Sequence, residues 1–164
     1  MLIRMHNILL IVASLLSVPA MAETMSSSQI DSVPASVDID GVAVTLQVSI
    51  WKDLMPRVHV PGVVVRKPGY QMRVTLNAGA SRMSPDATKT RVQVRPERIW
   101  VIRGKEVWEG SFSQAERSGV EEYSIRNGPP WPAGGTVDVV VRFVDSNRKA
   151  HAVKVVGVGV EAVH

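Results

Sequence analysis

The chain has 164 residues, no cysteine and a formal net charge of +4, which excludes a disulfide-stapled scaffold and a lipid-modified cysteine anchor and sets the size at one domain. The charge is unevenly spread. Between Arg66 and Lys105 ten Lys/Arg face two acids, Asp86 and Glu97, so this middle stretch is strongly basic while the sequence around it is acidic on balance.

The first 22 residues, MLIRMHNILLIVASLLSVPAMA, have the build of a secretory signal. Arg4 lies in a short polar start, Ile8 to Val18 form an apolar run, and Ala20-Met21-Ala22 offers the small residues a signal peptidase requires. The run is shorter than the ~20 residues needed to span a bilayer, so the reading is cleavage after Ala22 and export to the periplasm or beyond, rather than a retained membrane anchor. Residues 23–35 are Ser-rich without periodicity and read as a flexible leader, with an ordered domain over 36–157 and a short flexible tail over 158–164.

Val42, Val44, Leu46, Val48 and Ile50 alternate with Ala43, Thr45, Gln47 and Ser49, the signature of a half-buried strand. Tyr70, Met72, Val74 and Leu76 repeat it, with Arg73 on the polar side. Between them Pro56, Pro61-Gly62 and Pro68-Gly69 keep interrupting, so no long helix forms there. Residues 79–91 have loop composition. Arg91 to Arg95 alternate again until Pro96, which suits an edge strand or a switch between sheets. Two hairpins follow. Arg98–Ile102 and Glu106–Glu109 flank Arg103-Gly104-Lys105; the preferred type II′ turn, with Gly104 at its first central position, sets Arg103 opposite Glu106 and puts Trp100 and Trp108 on opposite faces, whereas a three-residue loop would set the two tryptophans across from each other on one face. Val137–Val144 and Ala150–Val156 form the second, joined through Asp145–Lys149 and rich in β-branched residues as a central pair requires. Only 112–124 has room for a helical turn, and Gly119 limits it. The expected fold is all-β: an immunoglobulin-like antiparallel β-sandwich of about seven or eight strands.

Trp131-Pro132-Ala133-Gly134-Gly135 leading into Thr136–Val141, closed by Asp145, resembles the last hairpin of immunoglobulin-like bacterial sandwiches. Bacterial proteinase inhibitors of the intracellular subtilisin-inhibitor type end similarly. The wider likeness, over 98–156, is to uncharacterised exported bacterial proteins of this type. The resemblance implies the fold; a proteinase-inhibitor role is a further possibility it carries, although an export signal sits poorly with an intracellular inhibitor. Thr136 stands where such domains often have tyrosine, so a tyrosine-corner hydrogen bond is not implied.

No Gly-x-Ser-x-Gly elbow, His-Glu-x-x-His or phosphate-binding glycine loop occurs, so no catalytic residue and no cofactor is expected, and His59 near Asp53 is the sole acid–base pair worth naming. Met55, His59 and Met83 are soft or borderline donors that suit copper and make a periplasmic metal-binding protein the runner-up. The leading reading is a non-enzymatic binding module of the envelope. Arg73, Arg91, Arg95 and Arg103 fall at solvent-facing positions and form a candidate surface for an anionic envelope component, while the proline-stiffened loop at Trp131 could dock a protein or a sugar. Ordinary solvated strand faces give the same charge pattern. Export argues against nucleic acid as the polyanion.

Overall fold

A computed structural model of the chain describes residues 25–55, 69–79, 92–117 and 122–164. The signal segment 1–22, the proline-interrupted stretch 56–68 and the loop from 80 to 91 lie outside the described residues. Nine strands are present among those described: β1 (Ser36–Ile39), β2 (Val42–Asp53), β3 (Gln71–Asn77), β4 (Val94–Arg103), β5 (Glu106–Ser111), β6 (Glu116–Arg117), β7 (Glu122–Ile125), β8 (Thr136–Asp145) and β9 (Ala150–Val163). One short helix, α1 (Ser27–Asp31), precedes them.

The strands run in the order β5-β4-β8-β9-β2-β3-β7-β6, with β1 beside β2, and the sheet curls on itself like half a barrel. The fold is all-β, but the sheet is mixed rather than wholly antiparallel. β9 pairs antiparallel with β8 as far as Gly159, then runs parallel to β2, with Ile50 opposite Val160 and Asp53 opposite Val163. Two features let it change neighbours. Gly157 adopts a φ of 67°, and the register with β8 slips by one residue between Val137 and Val139. A left-handed glycine at a bulge turns the strand without a Cβ clash, and Asp138 Oδ1 accepts from the Gly157 amide at 3.0 Å to fix the bend. Residues 158–163 are therefore the end of β9 and not a tail, because β2 offers them an unpaired edge.

Both predicted hairpins form. Arg103 pairs with Glu106, Trp100 with Glu109 and Val101 with Trp108, which separates the tryptophans onto opposite faces. Gly104 carries a φ of 59°, as the first central position of a II′ turn demands. Val144 meets Ala150 across the second hairpin. Pro96 does not end its strand. It sits at a bulge in β4, where the register with β8 slips between Pro96 and Arg98 and β5 has not yet begun to pair, so its missing amide costs no ladder bond.

Alternating side chains converge on one core. Val44, Leu46 and Ile50 of β2 and Met72, Val74 and Leu76 of β3 close on Ile99 and Val101 of β4, Val139, Val141 and Phe143 of β8 and Val153 of β9. A second, smaller cluster lies on the outer face of the β4–β8–β9 part, where Ile30 packs on Trp100 and Val140. This places residues 25–34 on the domain rather than in a flexible leader. The local cause is a capping box at Ser26, whose hydroxyl accepts from the Gln29 amide while Gln29 Oε1 accepts from the Ser26 amide at 2.7 Å. Beyond the helix, the Lys154 amide of β9 donates to the Pro34 carbonyl at 2.9 Å.

Candidate functional site

Of the arginines singled out by charge density, the three that are described, Arg73, Arg95 and Arg103, stand far apart. Arg95 and Arg103 sit at opposite ends of β4, roughly 26 Å apart at the ordinary strand rise. Arg73 is on β3, on the other side of the molecule's sheet path, 3.4 Å from Glu122. Arg91, His59 and Met83 lie outside the described residues. Met55 is 57 % exposed just past the end of β2, and no group of three or more His, Cys, Asp or Glu converges for a metal among the described residues.

Arg103 and Trp131 meet instead at one end of the barrel-like curl, in a pinned loop. Three donors converge on successive carbonyls of that loop. Lys52 Nζ donates to Trp131 and, at 3.5 Å, to Pro130, while Tyr70 Oη and Arg103 reach the Pro132 carbonyl at 2.8 and 3.1 Å. Lys52 occupies the position after Ile50 in the inward row of β2 and is itself buried. Its charge is met by carbonyl dipoles, and its ammonium lies 6.0 Å from the Tyr70 ring centroid. Burial pushes the Tyr70 phenol above its ordinary range, opposed by the neighbouring Arg103. The Trp131 indole is half-buried and stands edge-on to Tyr70, with centroids 6.2 Å apart. Its ring closes the end of the core, and only part of it faces solvent.

Arg95 belongs to a different constellation. It borders an open groove of about 690 Å³ lined by Gln93, Arg95, Glu97, Arg142, Ser146 and Arg148, with Val94, Val144, Asp145 and Ala150 between them. The strands explain the gathering. β4 and β8 are neighbours, Arg95 opposes Val144 and Arg98 opposes Arg142, and the pairing of Val94 with Asp145 brings the start of β4 beside the β8–β9 turn. Glu97 lies 3.3 Å from Arg95 and 3.7 Å from Arg142, so its carboxylate bridges two of the three cations. Arg148, held with a φ of 63° in the turn after β8, makes no ion pair among the described residues and is exposed.

The remaining acid at the groove, Asp145, is committed inward. It accepts from the amides of Asn147 at 2.8 Å and Lys149 at 2.9 Å, and its Oδ2 lies 2.9 Å from His151 Nε2. The His151 hydrogen bond, joined by those amides, holds the Asp145 carboxyl below its usual range. His151 in turn stacks on Phe143, centroids 5.6 Å apart. With every strong acceptor oxygen of Asp145 occupied, this pair fastens the hairpin. The groove then presents guanidinium groups whose fixed, planar donors suit a carboxylate or phosphate.

Sequence reading found Arg95 but missed Arg142 and Arg148, which lie far from the basic middle segment and reach it only through strand pairing. Comparison of the chain with protein-family models, with curated proteins and with solved structures gave no match.

Proposed function

We propose that this chain is an exported, immunoglobulin-like β-sandwich that works as a non-enzymatic binding module of the bacterial envelope, taking an anionic group of its partner into the groove at Arg95, Arg142 and Arg148. Support for the fold comes from the strand order. β2-β3-β7-β6 and β5-β4-β8-β9 follow the sequence of A-B-E-D and C′-C-F-G strands in immunoglobulin-like domains. Support for export comes from the composition of residues 1–22. The observation that carries the binding role is the groove itself. Three arginines from β4, β8 and the β8–β9 turn border one concavity whose two acids are already engaged.

The test uses residues 23–164 immobilised on a column, dextran sulfate as a defined polyanion and cell-envelope extract as the natural source. The wild-type protein retains dextran sulfate at low salt and releases it as the screening length shrinks from ~10 Å at 0.1 M to ~3 Å at 1 M. An Arg95→Ser/Arg148→Ser variant binds it on the order of tenfold more weakly or worse, since each lost charge-assisted hydrogen bond is worth about 1.5–3 kcal/mol, and retains correspondingly less from the extract. Equal retention by both proteins overturns the groove as the binding site.

A further inference from the structure

The outward row of β2 runs Ala43, Thr45, Gln47, Ser49 and then Trp51, an indole where the alternation calls for another small or polar side chain. Large apolar surface on a solvated strand face is costly unless something covers it, and the other three tryptophans are accounted for. Trp100 is buried beside Ile30, Trp108 packs on the main core, and Trp131 packs there too, edge-on to Tyr70. Trp51 belongs to neither apolar cluster, and its half-buried indole makes no ring contact and no hydrogen bond among the described residues.

Strand pairing decides what surrounds it. Gln71 of β3 and Glu161 of β9 are its partners on either side, so their side chains leave the same face at the strand spacing of ~4.8 Å. Ser49 and Asp53 share that face two residues away along β2, roughly 7 Å to either side. The side chains of Ser49, Gln71 and Glu161 make no hydrogen bond or ion pair among the described residues. Asp53 commits only Oδ1, which accepts from the Met55 amide at 2.9 Å. The indole is thus ringed by a hydroxyl and an amide, which both donate and accept, and by two carboxylates, which accept. An apolar plate with such a rim matches a pyranose ring, whose C–H face is apolar and whose hydroxyls radiate sideways. The match is best where those hydroxyls are equatorial and leave the face flat.

Charge selects among such ligands. Glu161 and Asp53 border the indole, and the cation next along β3, Arg73, lies 3.4 Å from Glu122 and is countered there. A polyanion is repelled from this face, whereas the arginine groove on the other half of the sheet path draws one. We propose that the Trp51 face is a second binding site, for a neutral glycan of β-linked pyranoses with equatorial hydroxyls. One ring stacks on the indole, and Ser49, Gln71 and Glu161 take its hydroxyls.

Affinity electrophoresis of the mature chain in native gels containing hydroxyethyl cellulose or glycol chitin, two neutral β-linked glycans, tests this. The wild-type protein is retarded by at least one of them, and Trp51→Ala lowers the affinity on the order of tenfold, equivalent to about 1.4 kcal/mol. Trp51→Tyr, which keeps an aromatic plate, restores part of the retardation. Should Trp51→Ala fail to give a cooperative thermal melt, Gln71→Ala/Glu161→Ala keeps the plate, removes the rim and shows a loss of similar size. In an Arg95→Ser/Arg148→Ser background, carboxymethyl cellulose, the same glucan carrying carboxylates, retards the protein less than hydroxyethyl cellulose does. A wild-type protein that neither neutral glycan retards overturns the proposal. Retardation that a folded Trp51→Ala keeps in full overturns it as well, as does stronger retardation by carboxymethyl cellulose in that background. The substitutions at the Trp51 face leave the arginine groove untouched, so dextran sulfate retention reports on the groove separately.

Discussion

At the scale of single residues, the side chains that order this molecule are polar groups placed where apolar ones are expected. Lys52 stands in the inward row of β2 and Asp145 closes the apolar row of β8, and both are buried. Each is tolerated because its hydrogen-bonding capacity is spent on backbone, Lys52 on the 130–131 carbonyls and Asp145 on the Asn147 and Lys149 amides. Asp145 also gives the protein an acid-sensitive fastening. Its carboxyl is held below the ordinary range by His151 and the turn amides, so the folded state binds its proton less readily than the unfolded chain does. The stabilisation is therefore complete above the unfolded carboxylate pKa near 3.9 and is lost as pH falls through the folded value. Thermal melts between pH 6 and pH 2 will show wild-type stability falling across that acid window. Asp145→Asn will melt lower at pH 6 and lose part of the acid slope; an unchanged slope would remove Asp145 from the account.

At the scale of elements, the turns decide the register, and some were legible while others were passed over. Gly104 between two alternating strands favours the two-residue loop over a three-residue one, and the observed pairing follows it, because that loop leaves one register and period-two alternation then assigns every side chain a face. Asp40-Gly41 carries an equally strong hairpin signal, yet residues 36–39 did not read as a strand, since Ser36-Val37-Asp38-Ile39 has only two apolar positions. The structure gives Asp40 and Gly41 φ values of 52° and 79°, the pattern of a type I′ turn, with Asp38 Oδ1 accepting from the Gly41 amide at 3.0 Å. A Cβ on Gly41 meets nothing within 4 Å, so Gly41→Ala suffers only the backbone cost of the left-handed region. A loss of about 1 kcal/mol follows, read as a lower urea midpoint with unchanged m-value. The helix α1 escaped notice for a related reason. Its capping box, Ser26 to Gln29, is written in the sequence, but five residues give no hydrophobic periodicity, and Ile30 is ordered by Trp100, which lies seventy positions away. The groove was half legible on the same grounds. Charge density along the chain picks out Arg95, whereas Arg142 and Arg148 join it through the β4–β8 ladder, a non-local fact that no window of sequence contains.

At the scale of the whole molecule, the curl depends on one strand that serves both halves. β9 is antiparallel to β8 over its first part and parallel to β2 over its last, so residues 160–163 are the seam that joins β5-β4-β8 to β3-β7-β6. Parallel pairing between strands more than a hundred positions apart leaves no local trace, so residues 158–164 read as a flexible tail and the sequence gives no hint of what the glycines at 157 and 159 do. In the fold they are the bend and the passage to β2. Four observations put weight on the seam: Val160 is buried in the shared core, its amide donates to the Gly135 carbonyl, its carbonyl accepts from Gly134, and the Val163 carbonyl accepts from Leu54. Ending the chain at Gly159 removes all of these and bares one edge of β2 from Ile50 to Asp53. Loss of one buried Val alone is worth about 1.5–3 kcal/mol, and the lost backbone bonds add to it, so the truncated protein will melt well below the full-length one. The bared edge is also a template for pairing with another chain. Amide exchange distinguishes the seam from a merely supportive end segment: truncation will speed exchange in β2 and β9 together while β4 and β5 keep their protection, and uniform loss across all strands would mean that the curl folds as one unit with no seam.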